Sequence, residues 1–556
     1  MKLRVSYAKS SYKNRTYTTP LVQYSYRDKN GTPRNKTVVS LAKLPKSVVK
    51  VVDEVLKRGD TSVLDNYVPK TSFRYQFSIC VGAAFVAFGI LLQLGVIELL
   101  KKHLTKPRSI AIIAFIIERI ISEKPLSISA LRRQMPDSPT HYILGSPSNP
   151  NLNIWYWAFG DLEAVREKIL SELYKRNQKK GQVFLYDITS SYFEGNKCPL
   201  GELGYNRDGK KGKKQVVIGI ICDSLGRPIW CDVFKGNTSD QTTIKQQLLN
   251  LRDKLGVKEF IFVGDRGMIT NARIKELEKD GWWETFNYIT ALKRQEVLSL
   301  INDEDHPIQP ELFDHRNLVE LEHDGVRYVL CYNPYKLNED RQTRERLLDK
   351  TEEKLKLIAK NVKDGRLKRK DKIARRLYRC IDKWGMERFF NVEYDEGFFK
   401  FKRNEDEIER FSSIDGCYVI RANVDKNSLS HKDLVNKYKD LKYVEQAFRT
   451  MKTTDINLRP IRVWNTKHVK GYIFACFLSY LATWEIRNCL EPVLLRDERK
   501  KCEVGSLQEV FRSLANISVG VFDINGETHT ELSRISKKNK EILKILKLPS
   551  ILSFIN

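Results

Sequence analysis

From residue 183 onward the chain strings together short apolar strands in an order that leaves few folds open. "VFLYDI", "QVVIGIICD" and "PIWCDVFKG" come first. A helical stretch ("DQTTIKQQLLNLRDKLG"), a strand ("EFIFVGD"), a helix ("NARIKELEKDG") and a strand ("FNYITALK") follow. Three strands free to meander antiparallel, then alternating helix and strand, predict a single α/β sheet. The pattern stops after Lys293 and returns with "GCYVIRANV" and a helix from Ser430. One core, 183–291 plus 414–490, is therefore expected to be interrupted by an insertion at 292–413 containing short strands and a long charged helix.

Two of these strands carry a carboxylate where apolar residues belong. The strand period of two puts Val183, Leu185 and Asp187 on one face, and does the same for Ile261, Val263 and Asp265. An unpaired carboxylate on a core face is costly and calls for a charge partner or a metal. A third acid lies in "SLSHKDLVNKYKDLKYVEQAFRTMK", where Ser430 and Asp433 predict a capping box. Steps of three and four place Tyr438, Leu441, Glu445, Phe448 and Lys452 on one face of a continuous helix. Val444, Ala447 and Met451 form the neighbouring stripe, fit to bury against the sheet. Glu445 is thereby expected to reach the ends of the two Asp strands.

Two Asp and one Glu on three rigid elements can hold two divalent cations about 3.5–4 Å apart for phosphoryl transfer. Oxygen-only ligands suit Mg2+ or Mn2+. Lys452 is expected to meet a substrate phosphate and Tyr438 to hydrogen-bond the same backbone, with Lys442 and Arg449 also facing DNA.

The order Asp187, Asp265, Glu445, with Y-x(6)-E-x(6)-K around the Glu, resembles prokaryotic insertion-sequence transposases of the D-D-E type. It is similar to the group carrying the Y-R-E-K signature, Y-x(2)-R-x(3)-E-x(6)-K. Tyr438, Glu445 and Lys452 match at the right spacing; the Arg position holds Leu441, with Lys442 beside it. "YDITSSYFEG", "FKGNTSDQTT" and "VGDRGM" extend the resemblance over roughly 180–480. It implies a ribonuclease-H-like catalytic core with a β-rich insertion between the second Asp and the Glu. It also implies magnesium-dependent cleavage at terminal inverted repeats, joining of the freed 3′ ends to target DNA, and a homodimer on the DNA. Two other readings stay open: a ribonuclease-H-like nuclease without strand transfer, and an inactive, domesticated DNA-binding descendant.

Charge agrees with a polyanionic partner. Lys and Arg number 97 against 69 Asp and Glu, a formal net charge of +28 spread along the chain. Residues 1–130, with β-prone runs around "DKNGTP", are expected to form a mixed α/β region that binds the DNA ends. Residues 131–182 are expected to be a helical connector, and 491–556 a C-terminal helical region. The ten cysteines lack any CxxC pair and read as reduced core residues of a cytoplasmic, nucleoid-associated protein. Val81–Leu100 approaches the length of a membrane span, but its Gln93, Glu98 and three glycines predict a buried helix pair and no membrane partner.

Smaller features complete the expectations. Asp240 reads as a helix N-cap, "YNRDGKKGKKQ" as a solvated hairpin turn, and His306, His315 and His323 as surface loops. At least one of Trp282 and Trp283 reads as ordinary packing, with stacking on a flipped base as the alternative. "GRLKRKDKIARR" is either a solvated face or a DNA channel.

Overall fold

The computed structural model describes residues 2–12, 15–59, 73–145, 150–177, 182–279, 286–301, 303, 306–309, 312–313, 318–382, 385–494, 506–524 and 526–551. Trp282, Trp283 and His315 lie outside the described residues. The chain divides into two units, Met1–Val81 with Ala515–Ile535 and Gly82–Leu514 with Ser536–Asn556. The region expected at 1–130 is thus split after Val81, because the apolar helices beyond it bury against the rest of the second unit.

In the first unit β1 (Leu3–Tyr12), β2 (Arg15–Arg27) and β3 (Pro33–Ser40) form an antiparallel meander. The β2–β3 turn falls on the predicted "DKNGTP": the Asp28 carboxylate accepts the N–H groups of Asn30 and Thr32, and Gly31 takes φ 77°. The helix Lys46–Arg58 covers one face of this sheet, packing Val49, Val52 and Leu56 with Leu3, Val5 and Val22. A fourth strand, β4 (Phe73–Cys80), belongs to a second sheet completed from the far end of the chain.

The second unit opens with the helices Gly82–Gln93 and Val96–His103, bent by 75° at Gly95. Residues 82–91 are all buried, as the helix-pair reading required. Among the described residues no single helix is long and apolar enough to cross a membrane. The helices Lys106–Ile121, Leu152–Asn177 and Thr466–Leu494 pack together. Gly471 lets the last two touch backbone to backbone: a Cβ there would lie 1.8 Å from the Phe159 carbonyl oxygen.

The central sheet takes β5 (Val183–Tyr192), β6 (Gln215–Asp223), β7 (Pro228–Lys235), β8 (Phe260–Gly264), β9 (Phe286–Ala291), β10 (Val319–His323) and β11 (Val326–Tyr332). After a separate hairpin, β12 (Phe390–Asp395) with β13 (Phe398–Arg403), it also takes β14 (Cys417–Ala422). Its order is β10-β11-β14-β9-β8-β5-β6-β7. The β5–β8 and β8–β9 pairs are parallel and the others antiparallel. β6 is buried along all but its last residue, which accounts for its unbroken apolar run. This large mixed sheet with its helices is consistent with the ribonuclease-H-like core expected from the sequence.

Three features differ from the sequence reading. β10 and β11, expected inside the insertion, extend the core sheet. Their Asp324–Gly325 turn, with φ 51° and 71°, folds β10 onto β11, and β11 pairs with β14. The remaining inserted residues pack around their own core of Leu348, Leu355, Ile373, Leu377, Phe389 and Phe390. The C-terminal region is not all helix. Helices occur at Leu507–Leu514 and Lys537–Ile545, but β15 (Ser518–Ile524) and β16 (Glu527–Leu532) lie between them, and β15 pairs with β4. His306 is not on a surface loop either: its ring is buried against His323 and Tyr328, with centroids 4.7 and 5.0 Å away.

Candidate active site

The parallel register of β5 on β8 runs from Val183↔Ile261 to Tyr186↔Gly264. The next residue in each chain segment is an aspartate, so Asp187, within β5, stands beside Asp265, just past the end of β8. Asp265 is held where β8 ends by a turn in which Met268 N–H donates to the Asp265 carbonyl, anchored by buried Met268 and Ile269. Asp187 is half-buried, Asp265 exposed. Burial pushes the Asp187 carboxyl up to about 7; Asp265 adds to this, while the Ile188 N–H and the Arg207 charge act against it.

Neither carboxylate forms an ion pair with a basic side chain among the described residues. Asp187 Oδ1 accepts from the Ile188 N–H at 2.7 Å. Asp265 Oδ1 accepts from the Arg266 N–H at 2.8 Å and from the Tyr438 hydroxyl at 3.1 Å. Burial and the Asp265 charge raise the Tyr438 phenol, keeping it a donor. A pair of adjacent carboxylates, one driven toward its neutral form by burial and by its acidic neighbour, has the donor chemistry of a site for a hard divalent cation.

The predicted continuous helix is two helices. His431–Lys439 starts at the expected Ser430–Asp433 capping box, and Lys442–Arg449 follows a break at Asp440–Leu441. Nine residues at 3.6 per turn would set Val435 and Val444 about 180° apart on one helix. The break lets both bury, and Ala447 and Met451 are buried as well. Three-residue turn bonds, Leu441 N–H to Tyr438 O and Tyr443 N–H to Asp440 O, make the bend. Lys452 lies beyond, in a wider π-helical turn at Thr450–Thr454.

Glu445 is exposed on the second helix, in a cleft lined by Lys442, Gln446, Arg449, Asp455 and Arg487. Among the described residues no three of His, Cys, Asp and Glu gather closely enough to hold a metal ion. The structure therefore brings Asp187 and Asp265 together, ties Tyr438 to Asp265, and leaves Glu445 outside a closed ligand set. Leu441, at the signature's Arg position, is buried, while exposed Lys442 sets its Nζ 5.1 Å from the Tyr443 ring centroid.

Lys452 does not face solvent. It is 8% exposed, its Nζ 2.8 Å from Thr189 Oγ1 and 2.7 Å from Asp208 Oδ1. Thr189 stands two residues beyond Asp187 on β5 and hence on the same face. Asp208, its side chain 1% exposed, also takes Arg459. Burial lowers the Lys452 ammonium and Asp208 opposes the shift. The "YNRDGKKGKKQ" loop is thus only partly a solvated turn. Arg207 makes a two-toothed ion pair with Asp240, which is the first residue of its helix after the N-cap Ser239 and not the cap itself. Asp208, Arg207 and Thr189 were missed as site residues; the one available signal was a single acid set among basic neighbours in that loop.

The sequence profile of the family described as "Transposase DDE domain" matches residues 178–482. No curated protein matches. Among solved structures, a piggyBac transposase synaptic complex with hairpin DNA is similar over 78% of this chain and 78% of its own, at 12% identity and TM-score 0.35. A Mos1 transposase paired-end complex with the left transposon end is similar over 43% of this chain and 67% of its own, at 18% identity and TM-score 0.14. A Mos1 mariner paired-end complex with Mn covers the same shares, at 17% identity and TM-score 0.14.

Proposed function

The chain belongs to the transposase DDE-domain family, a family of DNA-cleaving and strand-joining enzymes that use divalent metal ions, and from that premise we propose that it mobilises a prokaryotic insertion sequence of the Y-R-E-K group. Its substrates would be the terminal inverted repeats of the element and a target duplex. Water attacks a phosphodiester at the element end and frees a 3′-hydroxyl. That hydroxyl then attacks a target phosphodiester, forming one P–O bond as another breaks. We assign the work to Asp187, Asp265 and Glu445. The side-by-side, unpaired Asp187 and Asp265 carry this reading.

Asp187 and Asp265, with Glu445 as third donor, would hold one or two ions, Mg2+ or Mn2+. A cation bound there supplies a polarised oxygen nucleophile and charge stabilisation of the leaving oxygen. The protein's own part is positional. Tyr438 fixes one oxygen of Asp265, and the Ile188 N–H fixes one oxygen of Asp187. Lys442 and Arg449, in the Glu445 cleft, are suited to DNA phosphates. Work on two element ends fits a homodimer, and a DNA substrate fits a cytoplasmic, nucleoid-associated site of action.

The test uses the full chain, Mg2+ and supercoiled DNA carrying the two inverted repeats that flank the reading frame. Asp187→Ala, Asp265→Ala and Glu445→Ala are each expected to abolish strand cleavage while retaining DNA binding. Full cleavage by any one of them retires the triad. Cleavage by the wild type without joined products leaves a nuclease.

A further inference from the structure

The sheet β1–β3 has two faces of different chemistry. Leu3, Val5 and Val22 turn toward the Lys46–Arg58 helix. Strand alternation and the cross-strand pairs Arg4↔Gln23, Gln23↔Thr37 and Ser25↔Asn35 put these five residues, with Ser6, on the opposite face. They form a lateral ladder. Ser6 donates to Gln23, and Gln23 to Thr37 at 2.9 Å. Arg4 donates to Ser25 and Asn35 at 3.3 Å, and Ser25 to Asn35 at 2.7 Å.

A solvated sheet face needs no such set of amides and hydroxyls. None of the three strands contains an Asp or Glu. Across residues 1–58 fourteen Lys and Arg face three acids, Asp28, Asp53 and Glu54. Three strands span about 10 Å between the outer pair, and the major groove is about 12 Å wide. Amide side chains pair with the N6/N7 edge of adenine and Arg with the O6/N7 edge of guanine.

We propose that this free face lies in the major groove of duplex DNA, with Arg4, Gln23 and Asn35 as specificity-determining residues. Exposed Lys2, in step with Arg4 and Ser6, and exposed Lys29 in the β2–β3 turn meet flanking phosphates. The ladder holds the reading groups in place before DNA arrives, which lowers the entropic cost of binding. The inference rests on the reading of the N-terminal region as the part that binds element ends, and narrows that role to one face of one sheet.

The experiment selects binders of the full chain from a pool of random 20-base-pair duplexes at fixed salt. The wild type is expected to enrich a motif. Gln23→Ala with Asn35→Ala should relax preference at one or two base pairs by about tenfold to a hundredfold, with affinity for random duplex and thermal midpoint unchanged. Replacing adenine by 7-deaza-adenine at those positions should cost the wild type the same factor. Lys2→Ala with Lys29→Ala should weaken binding to every duplex and lower the salt slope by about two. If the lysine variant behaves so but the amide variant still enriches the wild-type motif, the region binds DNA through another face and the proposal falls. If neither variant changes anything, the DNA-binding role of the region falls with it. No wild-type motif, or equal displacement by a single-stranded competitor, also overturns it.

Discussion

The Tyr438 hydroxyl donates to Asp265 Oδ1 at 3.1 Å, tying the helix just before the Asp440–Leu441 break to the end of β8. Tyr438 is thereby part of the support of an acidic residue.

Tyr438→Phe keeps the ring and removes that donor. Losing such an outer contact to a metal ligand costs about tenfold or more in metal affinity. The Mg2+ concentration for half-maximal cleavage should rise by about that factor, with DNA affinity little changed. An unaltered Mg2+ requirement would mean that the phenol serves the DNA instead.

Asp187 gives a pH dependence. Its folded-state carboxyl lies near 7 against an ordinary 3.8. A carboxyl raised by folding disfavours the fold once it ionises. The penalty is absent below about pH 4, where both states are protonated, and is complete above about pH 7. In chelator, the melting midpoint should fall between pH 5 and pH 8. Asp187→Asn should flatten that fall, and Mg2+ should raise the midpoint more at pH 8 than at pH 5. Calorimetry at the two pH values checks all three.

Buried Asp208 neutralises both the buried Lys452 and the part-exposed Arg459. Asp208→Ala leaves the buried Lys452 ammonium without a counter-charge and should cost about 3–5 kcal/mol. Lys452→Ala should cost less, since Asp208 keeps Arg459. Urea denaturation ranks the two. The salt slope of DNA binding by Lys452→Ala reads out the phosphate contact expected of this residue. An unchanged slope means Lys452 stays with Asp208 on DNA, and a slope lower by about one means a phosphate takes it over.

Gly471→Ala places a methyl against the Phe159 carbonyl, where 1.8 Å separates the positions. Two long helices cannot part by the required distance without opening the core between them. A loss of about 3 kcal/mol or more is expected, visible as a lowered thermal midpoint by circular dichroism. A midpoint unchanged from wild type would refute the close crossing.

By itself the sequence determined the local pieces. The strands from 183 to 291, the Ser430–Asp433 cap, the Val444–Ala447–Met451 stripe and the buried helix pair after Val81 all appear where periodicity and capping chemistry placed them. Such signals arise between residues a few positions apart, so they are legible in one dimension. Tertiary structure alone decided which pieces became neighbours. It set Asp187 level with Asp265, joined β10 and β11 to the core sheet, and paired β4 with β15. It bent the helix so that Val435 and Val444 both bury, and gave Lys452 to Asp208. A strand's alternation says which side it hides but not against whom, and a charge does not name its counterion. Those choices are made by burial and ladder hydrogen bonds summed over distant segments, which no short window of sequence contains.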